Sequence, residues 1–95
     1  MTLDDAGLEQ EVLAMFAAQS AKLMATLATV PSEAGALAHT LKGSARAIGA
    51  FGVAEAANRL EMALADGVNP SGLLAELGDA VAQARAAIET VLRRS

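Results

Sequence analysis

The chain contains a single histidine, His39, and no cysteine, so there is no thiolate chemistry and only one imidazole to act as a nucleophile. Lys42 follows it at three residues, Gly43 at four and Arg46 at seven. These spacings bring side chains together only on a helix, which advances roughly 100° per residue. On a wheel started at Leu37, the residues Leu41, Ser44 and Ile48 fall within roughly 40° and form the expected buried face. His39, Lys42, Gly43 and Arg46 fall at roughly 140° to 240°, so the histidine is expected to face solvent.

An exposed imidazole is largely neutral at cellular pH and keeps one ring nitrogen free as a nucleophile. Lys42, one turn on, can reach an anionic group carried by His39, and Arg46 adds positive charge farther along the face. Gly43 occupies the position most apt to crowd the ring. Glycine inside a helix costs ~1 kcal/mol relative to alanine, and clearance for an approaching group is the expected compensation. Ser44 falls on the buried side as a small packing residue. One histidine without cysteine or a convergent carboxylate offers too few ligands for a metal, so no metal site is expected.

The elements that must hold this face are helices. Hydrophobic residues make up 54% of the chain, but aromatics only 2%, and Ala and Leu dominate over β-branched residues, which favours an all-α fold. Two proline breaks and one glycine-rich break define four helices. The first is expected from about Leu8 to Thr29, with Leu8, Val12, Met15, Phe16, Leu23 and Leu27 inward. Thr2 to Asp5 would cap a short preceding turn, and Asp4, Asp5, Glu9 and Glu11 favour the helix dipole. The second follows Val30-Pro31 with Ser32 as N-cap, and Gly49 and Gly52 bracket its end. The third is expected over Val53–Ala65, with Val53, Ala57, Leu60 and Leu64 inward and Asp66-Gly67 as its stop. Asn69-Pro70 opens the last, which carries Leu73, Leu77, Val81, Ala84, Ile88 and Val91 at spacings of three and four. Short loops make this an antiparallel up-down four-helix bundle with His39 exposed on the second helix. Phe16 and Phe51 are the only rings available to the core, and Met15, Met24 and Met62 are expected as filler.

At 95 residues the bundle is expected to be one domain spanning 1–95. The N-terminus begins acidic and lacks the pattern of a signal peptide, and no stretch suits a membrane span. A cytoplasmic location is expected, consistent with the absence of cysteine. The net charge is −4, and the basic residues form no dense tract with interleaved aromatics, so nucleic acid is not an expected partner. The abundance of Ala, Gly and Arg fits a GC-rich bacterial source. A monomer is expected.

The run His39-Thr40-Leu41-Lys42-Gly43-Ser44-Ala45, followed by Ile48-Gly49, resembles the motif of histidine-containing phosphotransfer domains. The stretch Val53 to Leu64, ending Arg59-Leu60-Glu61, is similar to that family's next helix, and the resemblance covers about Ala38 to Asp66. It implies that His39 is phosphorylated, that Lys42 stabilises the phosphoryl group, and that Gly43 admits the receiver domain of a response regulator. Arg46 is a candidate accessory residue. The resemblance also implies that the receiver supplies the aspartate and Mg²⁺ and that the chain has no cofactor of its own. The expected partners are receiver domains and a sensor or hybrid histidine kinase, and the chain is expected to be a stoichiometric carrier rather than an enzyme.

Two other readings compete. The phosphoacceptor helix pair of a histidine kinase usually has an acidic residue directly after the histidine and a proline a few residues later. Here Thr40 and Ser44-Ala45 stand at those places. A helical adaptor that binds receivers without being phosphorylated differs in one observable, acid-labile and base-stable phosphate on His39.

Overall fold

A computed structural model describes residues 3–94. Their backbone forms α1 (Leu3–Leu27), α2 (Ala34–Ile48), α3 (Phe51–Ala65) and α4 (Ser71–Arg94), with no strand among the described residues. Thr2 and the side chains of Asp4, Asp5 and Leu8 lie outside what is described, but the helix has already begun at Leu3, five residues earlier than expected. Each helix packs on two neighbours, α1 on α2 and α4, and α3 on α2 and α4. That closed ring is the expected antiparallel four-helix bundle. The α1 and α4 helices have 25 and 24 residues, against 15 each for α2 and α3, so the long pair runs beyond the short pair that carries His39.

The core is built from leucines set among alanines. Leu27, Leu41, Leu60 and Leu77 are fully buried together with Ala38, Ala45 and Ala57. On α1 the inward stripe is Leu13, Phe16, Ala17, Ser20, Leu23, Met24 and Leu27. Val12 and Met15, expected inward, are exposed. The stripe is displaced because Ala17 and Ser20 carry little hydrophobic weight in a sequence yet fit close helix contacts. Ser20 satisfies its buried hydroxyl by donating to the Ala17 carbonyl at 3.1 Å. Phe51 and Met62 also depart from expectation, since both are exposed. Phe51 is the first residue of α3. Val91 is exposed as well, whereas Leu77, Val81 and Ile88 keep the expected inward positions on α4.

The ends of the helices show which local signals were decisive. Asn69 caps α4, its Oδ1 accepting from the Ser71 backbone N–H at 3.0 Å and from the Ser71 hydroxyl at 2.9 Å. Ser32 does not cap α2. Glu33 holds that position without a side-chain hydrogen bond, and the Ala34 N–H is satisfied by the Pro31 carbonyl at 3.0 Å, leaving the Ser32 hydroxyl no task there. Gly49 ends α2 in the left-handed region at φ 81°. Its N–H donates to the Arg46 carbonyl at 3.2 Å and the Ala50 N–H to the Ala45 carbonyl at 2.8 Å, the paired bonds of a Schellman closure. A Gly49→Ala chain is expected to lose about 1–2 kcal/mol from the left-handed strain. The check is a lower urea midpoint with an unchanged slope.

Candidate functional site

The Gly49–Ala50 reversal sets the register between α2 and α3. It places His39 opposite Glu61 and Lys42 opposite Asn58, each pair equidistant from Ala50. His39 Nδ1 lies 2.9 Å from Glu61 Oε2, and Lys42 Nζ lies 2.7 Å from Glu61 Oε1. Lys42 Nζ also donates to Asn58 Oδ1 at 3.3 Å, and Asn58 Nδ2 donates to Met62 Sδ at 3.6 Å. Glu61 thus ties the histidine with one carboxylate oxygen and the lysine with the other. Oε1 is shut off from solvent, and the ammonium beside it supplies the charge compensation that a buried carboxylate oxygen requires.

This arrangement shifts the titration of Glu61 and favours one tautomer of His39. The Glu61 carboxyl is held below its usual value of 4.5, first by the Lys42 ammonium and then by the His39 ring, against the opposing effect of burial. Facing a carboxylate, His39 Nδ1 carries the proton and donates it, which leaves Nε2 with the lone pair. The His39 side chain is 67% exposed, so that lone pair is available at the surface.

His39, Gly43 and Arg46 are exposed, as expected. Lys42 is not. Its side chain is only 14% exposed and lies against α3. The residues of α2 that are fully covered are Ala34, Ala38, Leu41 and Ala45, centred roughly 60° around the helix from the expected Leu37-Leu41-Ile48 stripe. Alanines permit the close approach of α3, and this turns α2 so that Lys42 sits at the flank of the interface. Ser44, expected inside, is half-buried and lines an open apolar groove between α1 and α2 with Val12, Met15, Phe16, Gln19, Ala47 and Ile48.

Glu61 and Asn58 escaped the sequence reading as site residues. Their signal is weak, two polar residues three apart on α3 flanking the inward Ala57 and Leu60. Arg59, by contrast, reaches Glu76 on α4 at 2.9 Å and belongs to the opposite side of α3. Around Gly43 a built Cβ would meet nothing within 4 Å. No intramolecular contact therefore demands glycine there. Among the described residues no cluster of His, Asp and Glu could hold a metal ion, and no helix is long and apolar enough to cross a membrane.

The structure is a four-helix bundle that presents one imidazole to solvent, with its inner nitrogen held by a carboxylate on the adjacent helix. Residues 11–93 match the Hpt domain family, and the chain belongs to that family. Hpt domains take part in histidine phosphotransfer within phosphorelays, as phosphocarriers rather than catalysts, and interact with response-regulator receiver and kinase domains. Comparison with curated proteins and with solved structures gives no match.

Proposed function

We propose that the chain is a phosphocarrier of a two-component phosphorelay, shuttling a phosphoryl group between His39 and the aspartate of response-regulator receiver domains. The observation that carries this reading is the 2.9 Å contact between His39 Nδ1 and Glu61, because it leaves Nε2 as an exposed nucleophile. In the forward step the Nε2 lone pair attacks the phosphorus of the aspartyl phosphate. The P–N bond forms as the P–O bond breaks, and the bonding electrons leave on the aspartate oxygen. Nδ1 keeps its proton, so the ring gains positive charge that Glu61 faces. The reverse step returns the phosphoryl group to a receiver.

Such transfer depends chiefly on positioning and on charge stabilisation, and this chain's residues supply both in modest measure. Lys42 cancels the charge of Glu61, so that the incoming phosphoryl group does not meet a bare carboxylate. Arg46 contributes positive charge farther along α2. The Mg²⁺ comes with the receiver, which docks over His39 and the apolar groove of α1 and α2. The carrier acts as a cytoplasmic monomer without kinase activity of its own.

Gly43 gives the docking step its own test. Gly43→Ala is expected to stabilise the isolated chain by up to ~1 kcal/mol, because the helix gains and no neighbour is displaced, raising its melting temperature by about 4–8 °C. Transfer from a receiver is expected to slow nonetheless, since the added methyl stands where the partner approaches. Melting curves and transfer rates measured on the same preparation check both halves.

The function itself is tested by incubating the protein with phosphorylated receiver domains in Mg²⁺ and mapping the label. Acid-labile, base-stable phosphate on His39 is the expected result. Receiver binding without any label on His39 would instead make the chain a helical adaptor.

A further inference from the structure

Resting on the phosphocarrier reading, we infer that Lys22 on α1 is a second positioning cation of the site, facing the phosphoryl group on His39 from the side opposite Lys42. Both oxygens of Glu61 are occupied, and Lys42 spends its charge on one of them from a position only 14% exposed against α3. That places Lys42 at the Nδ1 edge of the ring. A phosphoryl group on Nε2 projects from the far edge, away from α3, and needs a cation of its own.

The apolar groove on the α1–α2 face ends at Gln19, which also lines a shallow neighbouring hollow with Lys22. The groove's α1 wall is the row Val12, Met15, Gln19, and its α2 wall is Ser44, Ala47 and Ile48. One more helical step of three residues along the α1 wall reaches Lys22. Because the helices run antiparallel, moving from Gln19 to Lys22 on α1 and from Ser44 back to His39 on α2 goes the same way. The two end points differ by only about 3 Å along the axes, from 1.5 Å per residue. Helix axes in contact stand about 8–10 Å apart, a gap that the flexible four-carbon stem of lysine is long enough to bridge.

Lys22 is also uncommitted. It is exposed and makes no ion pair among the described residues. The surroundings favour an anion. Glu33 is the only acidic residue between Val12 and Ala54, a stretch that holds Lys22, Lys42 and Arg46 in a chain of net charge −4. The negative charge of the protein lies elsewhere, and the α1–α2 face is left receptive to phosphate.

The test uses the protein phosphorylated chemically on His39 with phosphoramidate, which requires no receiver. The phosphoryl group is then titrated by ³¹P NMR in the wild type, Lys22→Gln and Lys22→Arg. A nearby cation favours the dianion, so Lys22→Gln is expected to raise the titration midpoint by about half a pH unit while Lys22→Arg holds it, following the rule that an adjacent opposite charge favours the charged form. Uptake from a phosphorylated receiver is expected to fall about three- to tenfold in Lys22→Gln, with the difference shrinking at high salt. An unchanged midpoint in Lys22→Gln overturns the inference. Failure of every receiver to label His39 would overturn the function and leave the titration result standing on its own.

Discussion

Replacing His39 with glutamine is expected to abolish phosphate uptake from every phosphorylated receiver while leaving the bundle folded. No other residue in the chain can take over, since there is no second histidine and no cysteine. Glutamine offers an amide whose nitrogen lone pair is delocalised and does not act as a nucleophile. The structural consequence is small because the side chain is 67% exposed and gives up one contact, Nδ1 to Glu61. Glu61 keeps Lys42 at 2.7 Å, so no charge is left buried without a partner. Exposed substitutions of this kind usually stay within about 0.5 kcal/mol of the parent. Radiolabel transfer and a urea melt on the same protein check the two claims. Residual labelling of the variant at the wild-type rate would place the phosphoacceptor elsewhere.

Glu61→Ala is expected to slow transfer roughly ten- to hundredfold, the range typical when the group that orients a functional histidine is removed. In the proposed mechanism the carboxylate holds the proton on Nδ1, aims Nε2 outward and faces the positive charge that the ring would acquire as the P–N bond forms, the same division of labour that a buried aspartate performs for a catalytic histidine. Glu61→Gln keeps an acceptor for the Nδ1 proton but loses the charge, and its rate is expected to lie between those of wild type and Glu61→Ala. Wild-type transfer in Glu61→Ala would remove the carboxylate from the mechanism.

The same residue links the site to pH. A carboxyl group held below its usual value of 4.5 contributes stability that is fully present above that value and is lost as pH falls through the folded-state titration. Wild type is therefore expected to exceed Glu61→Gln in urea midpoint at neutral pH, with the gap closing once the pH drops below 4.5. A gap that persists in acid would mean that the carboxylate's charge is not what stabilises the contact.

Much of the fold could be read from pattern alone, and the departures in the core of α1 and α2 share one cause. The proline and glycine breaks placed all four helices, and Asn69 and Gly49 worked as their residue types predict, because caps depend on a few adjacent backbone atoms. The errors came where alanine and serine compete with larger residues for the interior. Ala17 and Ser20 displaced Val12 and Met15 on α1, and Ala38 and Ala45 turned α2 toward α3. Close packing rewards small residues at helix contacts, whereas a hydrophobic stripe counts only large ones.

At the site, the sequence by itself determined that one imidazole stands exposed with open space at Gly43 beside it. The lone histidine on a helix, with glycine four residues on, follows from residue type and the 3.6-residue repeat, and both are properties of one segment. The tertiary structure alone decided the partner of the imidazole and where the charge of Lys42 goes. Glu61 lies twenty-two residues from His39, and nothing local marks it. Only the reversal at Gly49 and the alanine-lined contact of α2 with α3 bring its carboxylate to Nδ1 and draw Lys42 inward. Hydrogen bonds act over about 3 Å, so which nitrogen of His39 is left to react is settled by the register of two helices rather than by the order of residues along one.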